Sequence, residues 1–161
     1  MNEERFLKDG IIFNEKPNPV PYNYRISYKV SLICLVISLC CGRKGCSLVK
    51  MHMLSTALSN DNEKEKLKLF CKSNLYSNIL IRFDPVVNRA MTYALREQLI
   101  LQQANGLFRL TDKGKIITKR IIDDNKILIN EKSFLRDVSI NLTEDKISYL
   151  VEMWGNRSVN N

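Results

Sequence analysis

One histidine, His52, and five cysteines, at positions 34, 40, 41, 46 and 71, are the residues most able to do chemistry in this chain. With a single imidazole, any Cys–His or Ser–His–Asp arrangement must be built on His52, and no nucleophile elbow or comparable signature lies near it. The expectation is a packed or surface histidine in a chain that is not an enzyme. Thiolates and imidazole are zinc ligands, so Cys40, Cys41, Cys46 and His52 form a conceivable set. Adjacent Cys40 and Cys41 point in different directions, however, and the second half of a four-ligand site is missing. Free cysteine is a frequent core residue, so the cysteines are expected to be structural, with no metal and no cofactor. Gly42 and Gly45 have neither the spacing of a phosphate loop nor a strand before them.

What remains is recognition by surface charge. The chain carries a net charge of +8 and a pI near 9.3, a balance that favours an acidic partner such as nucleic acid, an anionic membrane face or an acidic protein. The excess is confined to residues 24–60 and 81–120, each with five more Lys and Arg than Asp and Glu. Such runs also serve as plain solvated helix faces. An odd number of cysteines and no legible secretory signal point to a reducing cytoplasm. The densest apolar run, Val30 to Cys41, is twelve residues long and contains Ser31 and Ser38. Roughly twenty residues are needed to cross a bilayer, so this run predicts a buried core helix and no membrane partner.

These residues need a scaffold, and the pattern supplies one in three parts. Residues 1–23 hold Gly10, Pro17, Pro19 and Pro21 and predict an extended arm. Residues 24–123 open with a nearly all-apolar helix from Tyr24 to Cys40, on which Ser27, Ser31 and Ser38 share a side that another helix could approach closely. A Gly-containing break, Cys41 to Cys46, leads to a helix from Ser47 to Leu58 with Met51, Leu54 and Leu58 inward. A charged helix follows, Asp61 to Cys71, packing through Leu67 and Phe70.

Asp84-Pro85 then starts a helix that runs to about Gln98. Val87, Ala90, Met91, Ala94 and Leu95 form its apolar face, with Arg89, Thr92, Tyr93 and Arg96 opposite. Leu99–Gln102 and Leu107–Leu110 flank Asn105-Gly106 and predict a tight hairpin, and Thr111 caps a helix to about Ile122. Helix, hairpin, helix in this order predicts a mainly α fold with a small β-hairpin, a winged helix-turn-helix. In such folds the exposed helix enters the major groove while the wing touches the backbone. Arg82, Arg89, Arg96, Arg109, Lys113 and Lys115 are the candidate nucleic-acid-binding residues, with Lys119 and Arg120 in reserve for phosphates. The third part, 124–161, predicts a C-terminal helical extension: a short helix near Glu131 to Val138, then one from Thr143. On the latter, Ile147, Leu150, Val151 and Trp154 form a stripe that must bury against the chain's own core or a partner.

Several blocks carry a resemblance: Asn14 to Pro19, Tyr22 to Lys29, Cys41 to Leu48, Arg82 to Pro85, and Leu110-Thr111-Asp112-Lys113-Gly114-Lys115. Together, over about residues 10–123, they resemble the middle component of bacterial three-component ABC ATPase systems, of which Lamassu-type anti-phage defence is the best-known example. The resemblance implies an accessory subunit that sits on a large SMC-like or ABC-type ATPase, helps it sense foreign DNA and restrains an effector, often a nuclease. The alternative expectation is a free-standing winged-helix transcription regulator, which would dimerise on a palindromic site in double-stranded DNA.

Overall fold

The computed structural model describes residues 21–73, 79, 81–139 and 141–159. Most of the proline-rich arm therefore lies outside the described residues, as does the Asn14–Pro19 block. Among the described residues the chain forms seven α-helices and one two-stranded antiparallel sheet. The helices are α1 (Ile26–Cys40), α2 (Leu48–Leu58), α3 (Asp61–Ser73), α4 (Pro85–Arg96), α5 (Asp112–Asp123), α6 (Ile129–Ser139) and α7 (Glu144–Val159). The strands are β1 (Ile100–Gln102) and β2 (Phe108–Leu110).

Helix α1 is the axis of the molecule. Every residue from Leu32 to Ile37 is buried, because α1 is covered by α4, α6 and α5 and flanked by α2 and β2. A helix apolar all round can be stable only in such a position. Ser27 and Ser38 are exposed and Ser31 half-buried, so no other helix among the described residues packs closely along the small-residue side. The helix begins at Ile26, later than its composition suggests, because Tyr22–Tyr24 take a 3-10 turn. There Tyr22 meets Tyr28 edge to face, with ring centroids 5.1 Å apart.

Local chemistry sets the other boundaries. Ser47 caps α2 by accepting from the Lys50 N–H, Asp84 caps α4 through Val86, and Thr111 caps α5 through Gly114. Helix α4 stops at Arg96, before Gln98. Its end is a Schellman motif in which the Leu99 N–H donates to the Ala94 carbonyl and the Gln98 N–H to the Leu95 carbonyl. Gln98 itself takes a left-handed φ of 57° at the position glycine usually holds. The turn moves Leu95 to the rim, where it is 37 % exposed, in place of the buried position its periodicity predicts.

The hairpin pairs Ile100 with Leu110, Leu101 with Arg109 and Gln102 with Phe108. Its turn is one residue longer than a two-residue Asn-Gly turn. Gln103 and Leu107 close it, and Gly106 has positive φ (82°) while Asn105 does not. Gly114, in the first turn of α5, is required by close approach: a Cβ there would lie 1.9 Å from the Leu99 carbonyl oxygen. A further pairing ties the α1–α2 connection to the sheet, since Cys46 and Phe108 exchange two backbone hydrogen bonds of 2.9 and 2.8 Å.

Four lysines spend their ammonium groups on the C-terminal carbonyls of other helices. Lys50 reaches Cys40 at the end of α1, Lys146 reaches Cys71 in α3, Lys113 reaches Glu97 after α4, and Lys132 reaches Ile121 and Asp124 around the end of α5. The last turn of a helix exposes unsatisfied carbonyls at the negative end of its dipole, so a cation there is stabilising.

Candidate nucleic-acid interface and polar clusters

Helix α4 presents the clearest charged surface. Its apolar side, Val87, Ala90, Met91 and Ala94, is buried against α1, which turns Arg89, Thr92, Tyr93 and Arg96 to solvent. The hairpin that follows carries Arg109, exposed and directly across from an exposed Leu101. Arg82 is exposed just before α4. Among the described residues, no ion pair engages Arg82, Arg89, Arg96 or Arg109.

The two candidate lysines of α5 are differently placed. Lys113 donates to the Glu97 carbonyl at 2.8 Å and lies 3.9 Å from its carboxylate, joining α5 to the end of α4 beside Arg96. Lys115 pairs with Asp112 one turn earlier. Lys119 and Arg120 are exposed farther along α5. Between α4, the hairpin and the start of α5 lies an open recess of about 570 Å³, lined by Leu95, Leu101, Gln102 and Lys113 among others.

The other basic stretch contributes less surface than its count suggests. Lys29 and Lys50 are buried, leaving Arg25, Arg43 and Lys44 outside. On α3 three of the four lysines pair with acids one turn earlier, Lys64 with Asp61, Lys66 with Glu63 and Lys68 with Glu65.

His52 belongs to a buried polar network with no local signature in the sequence. Its Nδ1 accepts from the Asp84 N–H at 3.0 Å, which fixes the proton on Nε2, where it is donated to Asn88 Oδ1 at 3.1 Å. The Asp84 carboxylate also accepts from Lys29 Nζ at 3.1 Å, and Lys29 donates to Ser55 Oγ at 2.5 Å. Residues from α1, α2 and α4 are thus bound into one cluster, and both imidazole nitrogens are occupied. Burial lowers the His52 pKa, more than the hydrogen bond to Asn88 and the Asp84 charge raise it. Burial would raise that of Asp84, but the Val86 N–H and the Lys29 ammonium outweigh it and bring it down.

The cysteines separate. Cys34, Cys40, Cys46 and Cys71 are buried, and burial pushes the Cys40 thiol up to about 12. Cys40 donates to the Leu135 carbonyl, away from its neighbour. His52 and Cys40 therefore do not join Cys41 and Cys46. Glu144, at the N-terminus of α7, does: the two sulfurs and a Glu144 carboxylate oxygen lie within 4.8 Å of one another. A hydrogen bond from the Cys46 thiol lowers the Cys41 pKa and raises that of Cys46 well above its ordinary range. The loop between the cysteines could be noticed in the sequence; Glu144, nearly a hundred residues later, could not.

The C-terminal stripe divides between core and surface. Ile147 and Leu150 are fully buried in the chain's own core, Trp154 is half-buried against it, and Val151 is exposed. No helix among the described residues is long and apolar enough to cross a membrane. Compared with known protein families, curated proteins and solved structures, the chain matches none.

Proposed function

We propose that this chain is a non-catalytic DNA-contacting subunit of winged-helix type that works in the cytoplasm on a large SMC-like or ABC-type ATPase, together with an effector, in defence against foreign DNA. The observation that carries the DNA part is the set of exposed arginines that no acidic side chain among the described residues pairs with, Arg89 and Arg96 on α4 and Arg109 on the hairpin. An arginine held in an ion pair is a weak phosphate ligand, and among the described residues none of these is so held. Lys113 and Lys115, already engaged with Glu97 and Asp112, are secondary contributors.

The element order favours the winged-helix reading. Helix α1, extended Cys46, α2, α4, β1 and β2 follow the order of helix, strand, helix, helix and hairpin, with Cys46 paired to the last strand. Helix α3 is an insertion between the second and third of these helices. Assignment to a defence ATPase rests on the resemblance of the Asn14–Pro19, Tyr22–Lys29, Cys41–Leu48, Arg82–Pro85 and Leu110–Lys115 blocks alone. Affinity purification of the tagged chain, co-expressed with the genes beside its own, tests it. Recovery of a stoichiometric large ATPase is the expected result. A homodimer that selects one palindromic operator, with no ATPase, would overturn it in favour of a free-standing regulator.

A further inference from the structure

Cys41 and Cys46 bracket the connection between α1 and α2, and Glu144 opens α7, so two segments distant in sequence deliver three donor atoms to the same point. We infer that Cys41, Cys46 and Glu144 bind a thiophilic divalent cation, zinc in the first instance, which clamps the α1–α2 connection to the start of α7. Cysteine thiolates and carboxylate oxygens are both zinc ligands. With Zn–S near 2.3 Å and Zn–O near 2.0–2.2 Å, tetrahedral donors stand roughly 3.5–3.8 Å apart. The present spacing, within 4.8 Å, is about one ångström wider than that.

Three further features fit. Glu144 is already oriented, its Oε1 accepting from the Ser47 N–H at 3.0 Å, the kind of outer contact that aims a ligating carboxylate. Two thiolates, one carboxylate and a dication leave a net negative charge. The buried Lys50 ammonium, held 2.6 Å from the Cys40 carbonyl and near both sulfurs, cancels it. Cys41 and Glu144 also line a recess of about 480 Å³, which leaves room for a water as the last ligand. His52 takes no part.

Cobalt(II), which reports thiolate ligation by absorption, is the probe, titrated into the full chain kept reduced by a non-chelating phosphine. The expected result is one equivalent bound, with a near-ultraviolet sulfur-to-metal band and the visible bands of a four-coordinate ion, displaced by zinc. Cys41→Ser should lose about half of the sulfur band. Glu144→Gln, which can still accept from Ser47 and so keeps the fold, should retain the band but bind at least about tenfold more weakly. The inference is overturned if the reduced chain gives no sulfur band, if the band survives in Cys41→Ser/Cys46→Ser, or if Glu144→Gln binds as the unaltered chain does. A chain that forms a Cys41–Cys46 disulfide in air, yet takes no cobalt when reduced, overturns it too.

Discussion

Asp84 does two jobs with one carboxylate: it caps α4 and it neutralises a lysine that α1 buries in the core. The jobs separate by substitution. Asp84→Asn keeps a capping oxygen but strands the Lys29 ammonium, and should cost about 3 kcal/mol. Lys29→Met leaves a carboxylate that is partly solvated and should cost about 1 kcal/mol or less, with the double variant close to the milder single. Chemical denaturation of the four proteins measures this, and equal losses in the two singles would contradict it. His52 adds a pH dependence to the same cluster. Its folded pKa lies below the ordinary 6.5, so on acidification the unfolded chain takes up a proton that the folded chain refuses. Stability is therefore complete above about pH 6.5 and falls as pH drops below it, until the folded pKa is passed. Asp84, also lowered, adds a second loss below its ordinary 3.8. Melting temperatures at about pH 7.5 and about pH 5.5 should differ less for His52→Gln than for the unaltered chain. A difference of the same size in both would remove His52 as the cause.

At the scale of elements, α7 decides what is left for a partner. Ile147 and Leu150 fill the chain's own core, whereas Val151, on the same stripe, is exposed because α7 lies across the surface and cannot bury its whole circumference. Leu150→Ala should cost about 2–5 kcal/mol of fold stability, in line with other buried leucines, and Val151→Ser within about 0.5 kcal/mol. If Val151 anchors a partner, Val151→Ser lowers recovery of the complex while the isolated chain melts unchanged. Normal recovery would confine the partner surface to other elements.

For the whole molecule, the charge that matters is what remains after folding. Of the two basic stretches in the sequence, residues 24–60 lose Lys29 and Lys50 to the interior, whereas residues 81–120 keep their arginines outside and, among the described residues, without ion pairs. Neutralising Arg89 and Arg96 together should weaken binding to all duplex sequences alike. It should also flatten the salt dependence by roughly two units of logarithmic slope, since each phosphate contact releases about 0.9 counterion. Binding that is unaltered in strength and slope would make this surface a protein-docking face and move DNA contact to the ATPase.

Much of this was legible without coordinates. The caps Asp84 and Thr111, the burial of α1, the two faces of α4 and the hairpin around Gly106 follow from local preferences and from the 3.6-residue and two-residue periods, which act within a few neighbours along the chain. What only the tertiary structure decided are the meetings between distant segments: Lys29 with Asp84, His52 with Asn88, the four lysines on the ends of other helices, and Glu144 beside Cys41 and Cys46. These rest on a single side chain reaching a single atom across the fold, and no periodicity records them. The same limit explains Leu95, whose helical position is apolar but whose neighbours are removed by the Schellman turn at Gln98. A helical wheel gives the direction in which a side chain points, and only packing determines whether anything is there to meet it.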